Sequence, residues 1–288
     1  MVNFDKALRE VYNKASLEPI VIDNVGKRTI SDDMWNNYIG QIEDPVYKNI
    51  VETVRKNTIY VPWKDLVSNL ILSYEKFLTE IGDKPFKILI ETRKFSSQDI
   101  FILLLWNKIK VMNNFDGFIT ENSQLDNDEI ILIIDDCIYS GHTTLGSIDV
   151  LTYNNPKVKF YFHIVIPYVY TENITRELDR FNLSGYTIHN VVDIYPIKEF
   201  RDMRRVLIKY GFEGTHLVPI YFDHKVAGYC STFYKIYMEG YISEQESKQE
   251  SKPENIGMLL PLAPYTDIKD ILYKRYFKNI YNPPVNGK

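Results

Sequence analysis

Ile130 to Thr144 reads IILIIDDCIYSGHTT. Five consecutive apolar residues describe a short buried strand, and the two adjacent acids, Asp135 and Asp136, fall at its carboxyl end. Tyr139 to Thr144 then gathers small hydroxylated residues around one glycine, as a turn into a helix would. The stretch reads as strand, acid pair, turn, helix.

The same alternation extends on both sides. Upstream, Phe86 to Ile90 is a short buried strand, Ser96 or Ser97 can cap an apolar helix running to about Lys110, and Phe115 to Thr120 is a further strand. Downstream, Thr143 to Leu151 begins a helix, Phe160 to Ile166 is a buried strand, Thr171 to Arg180 is helical and Thr187 to Ile194 is a strand. Strands alternating with helices predict an α/β fold, a mostly parallel twisted sheet with helices on both faces. Two helices precede it. Asp44-Pro45 opens one as N-cap and first residue, and Pro62 to Ile81 carries an apolar stripe that Gly82 ends. The expected organisation is an N-terminal helical arm over residues 1–44, an α/β core over 45–220 and a C-terminal extension over 221–288 with a charged loop at 243–255.

Bulk properties narrow the function classes. A net charge of -4 on 288 residues presents no global basic field, so nucleic acid is not an expected partner. The longest apolar run, Ile100 to Trp106, falls far short of the roughly 20 residues of a membrane helix. Cys137 and Cys230 cannot build a disulfide framework, and the first residues show no apolar leader. These features predict a cytoplasmic protein.

In an open parallel sheet, ligands lie beyond the carboxyl ends of the strands. There the Tyr139–Thr144 turn offers free backbone N–H groups at a helix start and the hydroxyls of Ser140, Thr143 and Thr144, while Gly141 lets a ligand approach the backbone. Together these can cradle a phosphate. Asp135 and Asp136 can accept hydrogen bonds from sugar hydroxyls, directly or through a hydrated divalent ion. A phosphorylated ribose answers every group. A Walker B strand fits the acids but lacks its partner loop, because Val25-Gly26-Lys27-Arg28 has neither the earlier glycine nor the hydroxyl. A strand–turn–helix junction capped by Ser140 or Thr143, with no ligand, is the plain alternative.

IILIIDDCIYSGHTT resembles the phosphoribosyl-pyrophosphate signature of type I phosphoribosyltransferases, which places two acids after an apolar strand and then a Thr/Ser-Gly-x-Thr turn. The resemblance implies that Asp135 and Asp136 engage the ribose hydroxyls and that Ser140, Gly141, His142, Thr143 and Thr144 hold the 5′-phosphate. It places Thr92, Arg93 and Lys94 in the pyrophosphate loop, and it implies Mg²⁺ held through water at Asp135 and Asp136. The partners it implies are a small phosphoribosyl ligand and a second copy of the chain in a homodimer, with no membrane. The activity would be transfer of the phosphoribosyl group to a nitrogen nucleophile in nucleotide metabolism, a glycosyltransferase reaction; a non-catalytic ligand-binding module of the same fold is the alternative.

Two departures bear on that choice. Many family members carry an acid just before the Thr-Gly, where this chain has Tyr139, and a phenol of pKa about 10 is a weak base at neutral pH. The loop that covers the family's site is reduced to Glu121 to Glu129, short and acidic. Outside the signature, His163 reads as a hydrogen-bonded core histidine, Tyr221 to Lys225 as a surface or core-edge group, and Phe200 to Tyr210 as a basic amphipathic helix with a solvated face.

Overall fold

The computed structural model describes residues 4–17, 31–91, 97–138, 142–179, 181, 183–195, 198, 220–222 and 273–278. It separates into two units, one of residues 1–24, 64–193 and 266–288, the other of residues 25–63 and 194–265. The partition is discontinuous in sequence rather than three consecutive segments. The expected helix at 200–210, the charged loop at 243–255 and the residues Asp223, His224 and Lys225 lie outside the described residues.

The larger unit is built on a parallel five-stranded sheet in the order β3-β2-β4-β6-β8. Its strands are β2 (Phe86–Ile90), β3 (Phe115–Thr120), β4 (Glu129–Ile134), β6 (Phe160–Val165) and β8 (Gly185–His189). The α/β expectation holds, and the strand positions follow the apolar runs. Helices cover both faces. On one, α6 (His142–Asn154) and α7 (Thr171–Leu178) bury Ile148, Leu151, Ile174 and Leu178 against Leu89, Ile131, Ile133, Phe160, Phe162 and Ile164. Burying side chains of this size contributes about 1.5–3 kcal/mol each. The alternate residues of the strands face the opposite way, where α4 (Trp63–Ile81) sets Phe77 edge-on against Phe86 and His163. Gly82, at φ +56°, ends α4 in the left-handed conformation that a side chain resists.

The N-terminal helix α1 (Phe4–Leu17) is not an arm. It packs on α5 (Ser97–Ile109) and β3, and Leu8 and Tyr12 are wholly buried. The Tyr12 ring meets Trp106, Phe118 and Phe277, and its hydroxyl donates to the buried Asp99 carboxylate at 3.0 Å. At the start of the helix, Asp5 Oδ1 accepts from the Phe118 backbone N–H at 2.8 Å, which satisfies a donor of the edge strand β3. Phe277 belongs to a short π-helix, Tyr273–Phe277.

Each of the last three strands breaks and then resumes. β5 (Cys137–Ile138), β7 (Tyr168–Val169) and β9 (Val192–Asp193) continue β4, β6 and β8 as a small parallel ladder in the order β5-β7-β9. Pro167 has no N–H to give the ladder, and its carbonyl accepts from both Val191 and Val192. The single strand expected over 187–194 is therefore two.

The second unit contains α2 (Asp32–Gly40), α3 (Pro45–Asn57) and a parallel pair, β1 (Ile59–Val61) with β10 (Ile220–Phe222). Asp44 caps α3 as expected, accepting from the N–H groups of Val46 and Tyr47 at 2.8 and 3.2 Å. The helix α2 falls within the residues expected to form the N-terminal helical arm; Ser31 caps it, and Trp35 and Ile39 are its only buried residues.

Candidate functional site

From β2 the chain passes to β3 on one side, then returns across β2 to β4 and moves outward through β6 to β8. The direction reverses between β2 and β4, which pair in parallel with Lys87 beside Ile131 and Ile88 beside Leu132. Helices leave these strands toward opposite faces, so a crevice opens at their carboxyl ends; this is where open α/β sheets bind ligands.

Both segments singled out from the sequence leave the sheet at that point. β2 runs through Glu91 into Thr92, Arg93 and Lys94, which lie outside the described residues. The base of this loop is fastened by a residue the sequence reading missed. The Gln98 amide donates to the Leu89 carbonyl at 2.7 Å and accepts from the Glu91 N–H at 3.2 Å, tying the first turn of α5 back to the end of β2. No motif flags a lone glutamine. Its role exists only once strand and helix are side by side.

β4 runs into the acid pair. The Asp135 N–H continues the ladder to the Val165 carbonyl at 3.2 Å, whereas the Asp136 N–H turns to the Asp135 carboxylate at 2.9 Å. That local bond explains why the strand breaks here. The acids therefore sit in the break between β4 and β5, not in the final turn. Asp135 is half-buried and Asp136 wholly buried, so of the two Asp135 is the more exposed. Tyr139, Ser140 and Gly141 lie outside the described residues, as do the side chains of His142 and Thr143. Their backbone opens α6 at His142, which places N–H groups without helical partners at the end of the segment. Thr144 is buried, 7% exposed.

The segment expected as a lid is not one. Asn155 Oδ1, just past the end of α6, accepts from the Leu125 N–H at 2.8 Å, and its amide donates to the Ser123 carbonyl at 2.9 Å. Asn154 donates to the Glu121 carbonyl at 3.2 Å, and Asp128 accepts from the Lys159 N–H at 3.0 Å. Leu125 packs on the core. Residues 121–128 are pinned to the far end of α6, opposite the end that opens at His142.

The donors around the break are carboxylate oxygens, which suit a hard, hydrated Mg²⁺. Among the described residues no helix is long and apolar enough to cross a membrane.

The sequence matches no protein-family model and no curated protein. Among solved structures, the chain is similar to a xanthine-guanine-hypoxanthine phosphoribosyltransferase of Helicobacter pylori, at 11% identity and a TM-score of 0.30 over 53% of this chain and 97% of that one. It is also similar to the AQ2163 protein of Aquifex aeolicus, at 14% identity and a TM-score of 0.27 over 57% of this chain and 86% of that one. Likenesses at these scores carry no weight for function.

Proposed function

We propose that this chain binds 5-phosphoribosyl diphosphate, or a related ribose 5-phosphate, at the crevice between β2 and β4. The observation that carries the reading is the position of the acid pair at the end of β4, the strand that flanks the switch point, with α6 opening at His142. In this reading Asp135 accepts from the ribose hydroxyls, and Asp136 holds the strand break that presents it. The N–H groups and hydroxyls of Ser140 to Thr143 take the 5′-phosphate, and Arg93 and Lys94, with Thr92, meet the diphosphate. Mg²⁺ held through water at the acids neutralises part of the diphosphate charge.

Two observations favour binding without transfer. Tyr139 stands where an acid serves many transferases, and residues 121–128 are fastened away from the end of the sheet where a cover is needed to exclude water. Phosphoribosyl transfer to a nitrogen nucleophile is the second reading.

The test is thermal unfolding with the diphosphate donor and Mg²⁺, alone and together. The expected result is a donor-dependent rise in Tm, measured for each protein against its own donor-free Tm, that Asp135→Asn abolishes. No shift at millimolar donor refutes the proposal. Pyrophosphate release with a panel of nucleobases separates the two readings: release identifies a transferase, and its absence in a protein that binds the donor identifies a binding module.

A further inference from the structure

Three donor atoms converge on the α4 face of the sheet, away from the β2–β4 crevice. β6 and β8 pair with His163 beside Thr187 and Val165 beside His189, which makes the two imidazoles diagonal neighbours on one face. Both are buried, at 3% and 4% exposure. Their rings lie 8° from parallel with centroids 5.2 Å apart, and His163 Nδ1 is 2.9 Å from His189 Nε2. The same Nε2 lies 3.9 Å from Glu80 Oε2, at the end of α4, and the three donor atoms fall within 4.8 Å of one another.

We propose that Glu80, His163 and His189 form a binding site for a first-row divalent metal ion, Zn²⁺ by its ligand chemistry, which joins α4 to β6 and β8. Two imidazole nitrogens and one carboxylate oxygen suit zinc and its neighbours and not Mg²⁺ or Ca²⁺, which take oxygen. Bonds of about 2.0–2.1 Å at a tetrahedral angle separate two nitrogens by about 3.3 Å, so the histidine pair must open by a few tenths of an ångström. Each ring must also turn by roughly 35°, because nitrogens 2.9 Å apart between centroids 5.2 Å apart point their lone pairs along one line. The Glu80 side chain is 43% exposed and must close the remaining gap from the solvent side, where a water can complete four-coordination.

The surroundings already orient the carboxylate. Thr187 Oγ1 donates to Glu80 Oε1 at 2.8 Å, and the Tyr161 hydroxyl pairs with Thr187 Oγ1 at 2.9 Å, which leaves Oε2 directed at the histidines. Phe77 meets both rings edge-on, with centroids at 5.3 and 5.8 Å. Groups that fix the orientation of ligands in this way are the usual companions of a metal site. Burial lowers the pKa of both imidazoles, His189 to about 4 with His163 adding to the effect, so both are neutral at pH 7. Binding then releases no ring proton. The hydrogen shared between Nδ1 and Nε2 gives way to the ion, and one ring changes tautomer.

The experiment titrates the chelator-treated full chain with Zn²⁺ by calorimetry and with Co²⁺ by visible absorption. The expected result is saturable one-to-one binding, a d–d band characteristic of mixed nitrogen and oxygen ligands, and a Tm raised by Zn²⁺ but not by Mg²⁺. Thr187→Val, which keeps the ligands and loses only their orientation, should weaken binding by about 10–100-fold. Glu80→Gln, a surface change that preserves the fold, should weaken it at least as much, and His189→Gln should abolish it. Absence of saturable binding overturns the proposal, as does Zn²⁺ affinity unchanged in Glu80→Gln and Thr187→Val. The inference is independent of the phosphoribosyl reading.

Discussion

Tyr74 supplies a prediction whose sign reverses with pH. Its side chain is wholly buried in α4, its hydroxyl donates to Met112 Sδ at 3.0 Å, and burial raises its pKa far above the ordinary 10.0. Between pH 10 and the folded-state value, the unfolded chain releases the phenolic proton and the folded chain keeps it. Stability therefore falls as pH rises, by about 1.4 kcal/mol per pH unit for this one group, and it is undiminished below pH 10. Tyr74→Phe removes the proton. At pH 8 the variant should be less stable than wild type by up to about 1 kcal/mol, because it loses a hydrogen bond to a weak acceptor. At pH 11 that order should invert, since wild type alone carries the linkage cost of about 1.4 kcal/mol. Urea unfolding at pH 8, 10 and 11, followed by far-UV circular dichroism, measures both proteins. Parallel pH profiles for the two would refute the reasoning, because they would mean that Tyr74 ionises as easily in the folded state as in the unfolded.

Gly185→Ala would place a Cβ 2.5 Å from Cε2 of Tyr161 at the start of β8, and a misfit of this kind should cost about 1–3 kcal/mol in denaturant unfolding; a neutral result would mean that the Tyr161 ring is free to move. Lys87 bonds both oxygens of Glu129 at 2.7 Å and Asp116 at 2.9 Å across three strands, with Glu129 only 14% exposed. Lys87→Met should cost roughly 2 kcal/mol by leaving two carboxylates together, and Lys87→Met/Glu129→Leu should recover most of the loss; equal stability of the single and double variants would contradict this account.

What could be read from the chain alone was local periodicity and punctuation. Runs such as Phe86–Ile90 and Phe160–Val165 are strands because an apolar stretch that short buries itself only between layers. Asp44-Pro45 and Gly82 bound their helices because caps act over one turn, and the alternation of these elements already implied a parallel sheet with two covered faces. The acid pair at the end of β4 and the helix that opens at His142 were also legible, since they are close neighbours in sequence.

The remainder depended on neighbours distant in sequence. Which strand lies beside β4, and hence that the ends of β2 and β4 flank one crevice, follows from strand order and not from any local pattern. Helix α1 looked peripheral because nothing in Phe4–Leu17 announces that Tyr12 will meet Trp106, Phe118 and Phe277. Residues 121–128 looked like a loose cover because their restraints, Asn154 and Asn155, belong to another helix. Glu80, His163 and His189 converge only because β6 pairs with β8 beneath α4; local propensity shapes each segment, but a site is made by the packing that brings segments together.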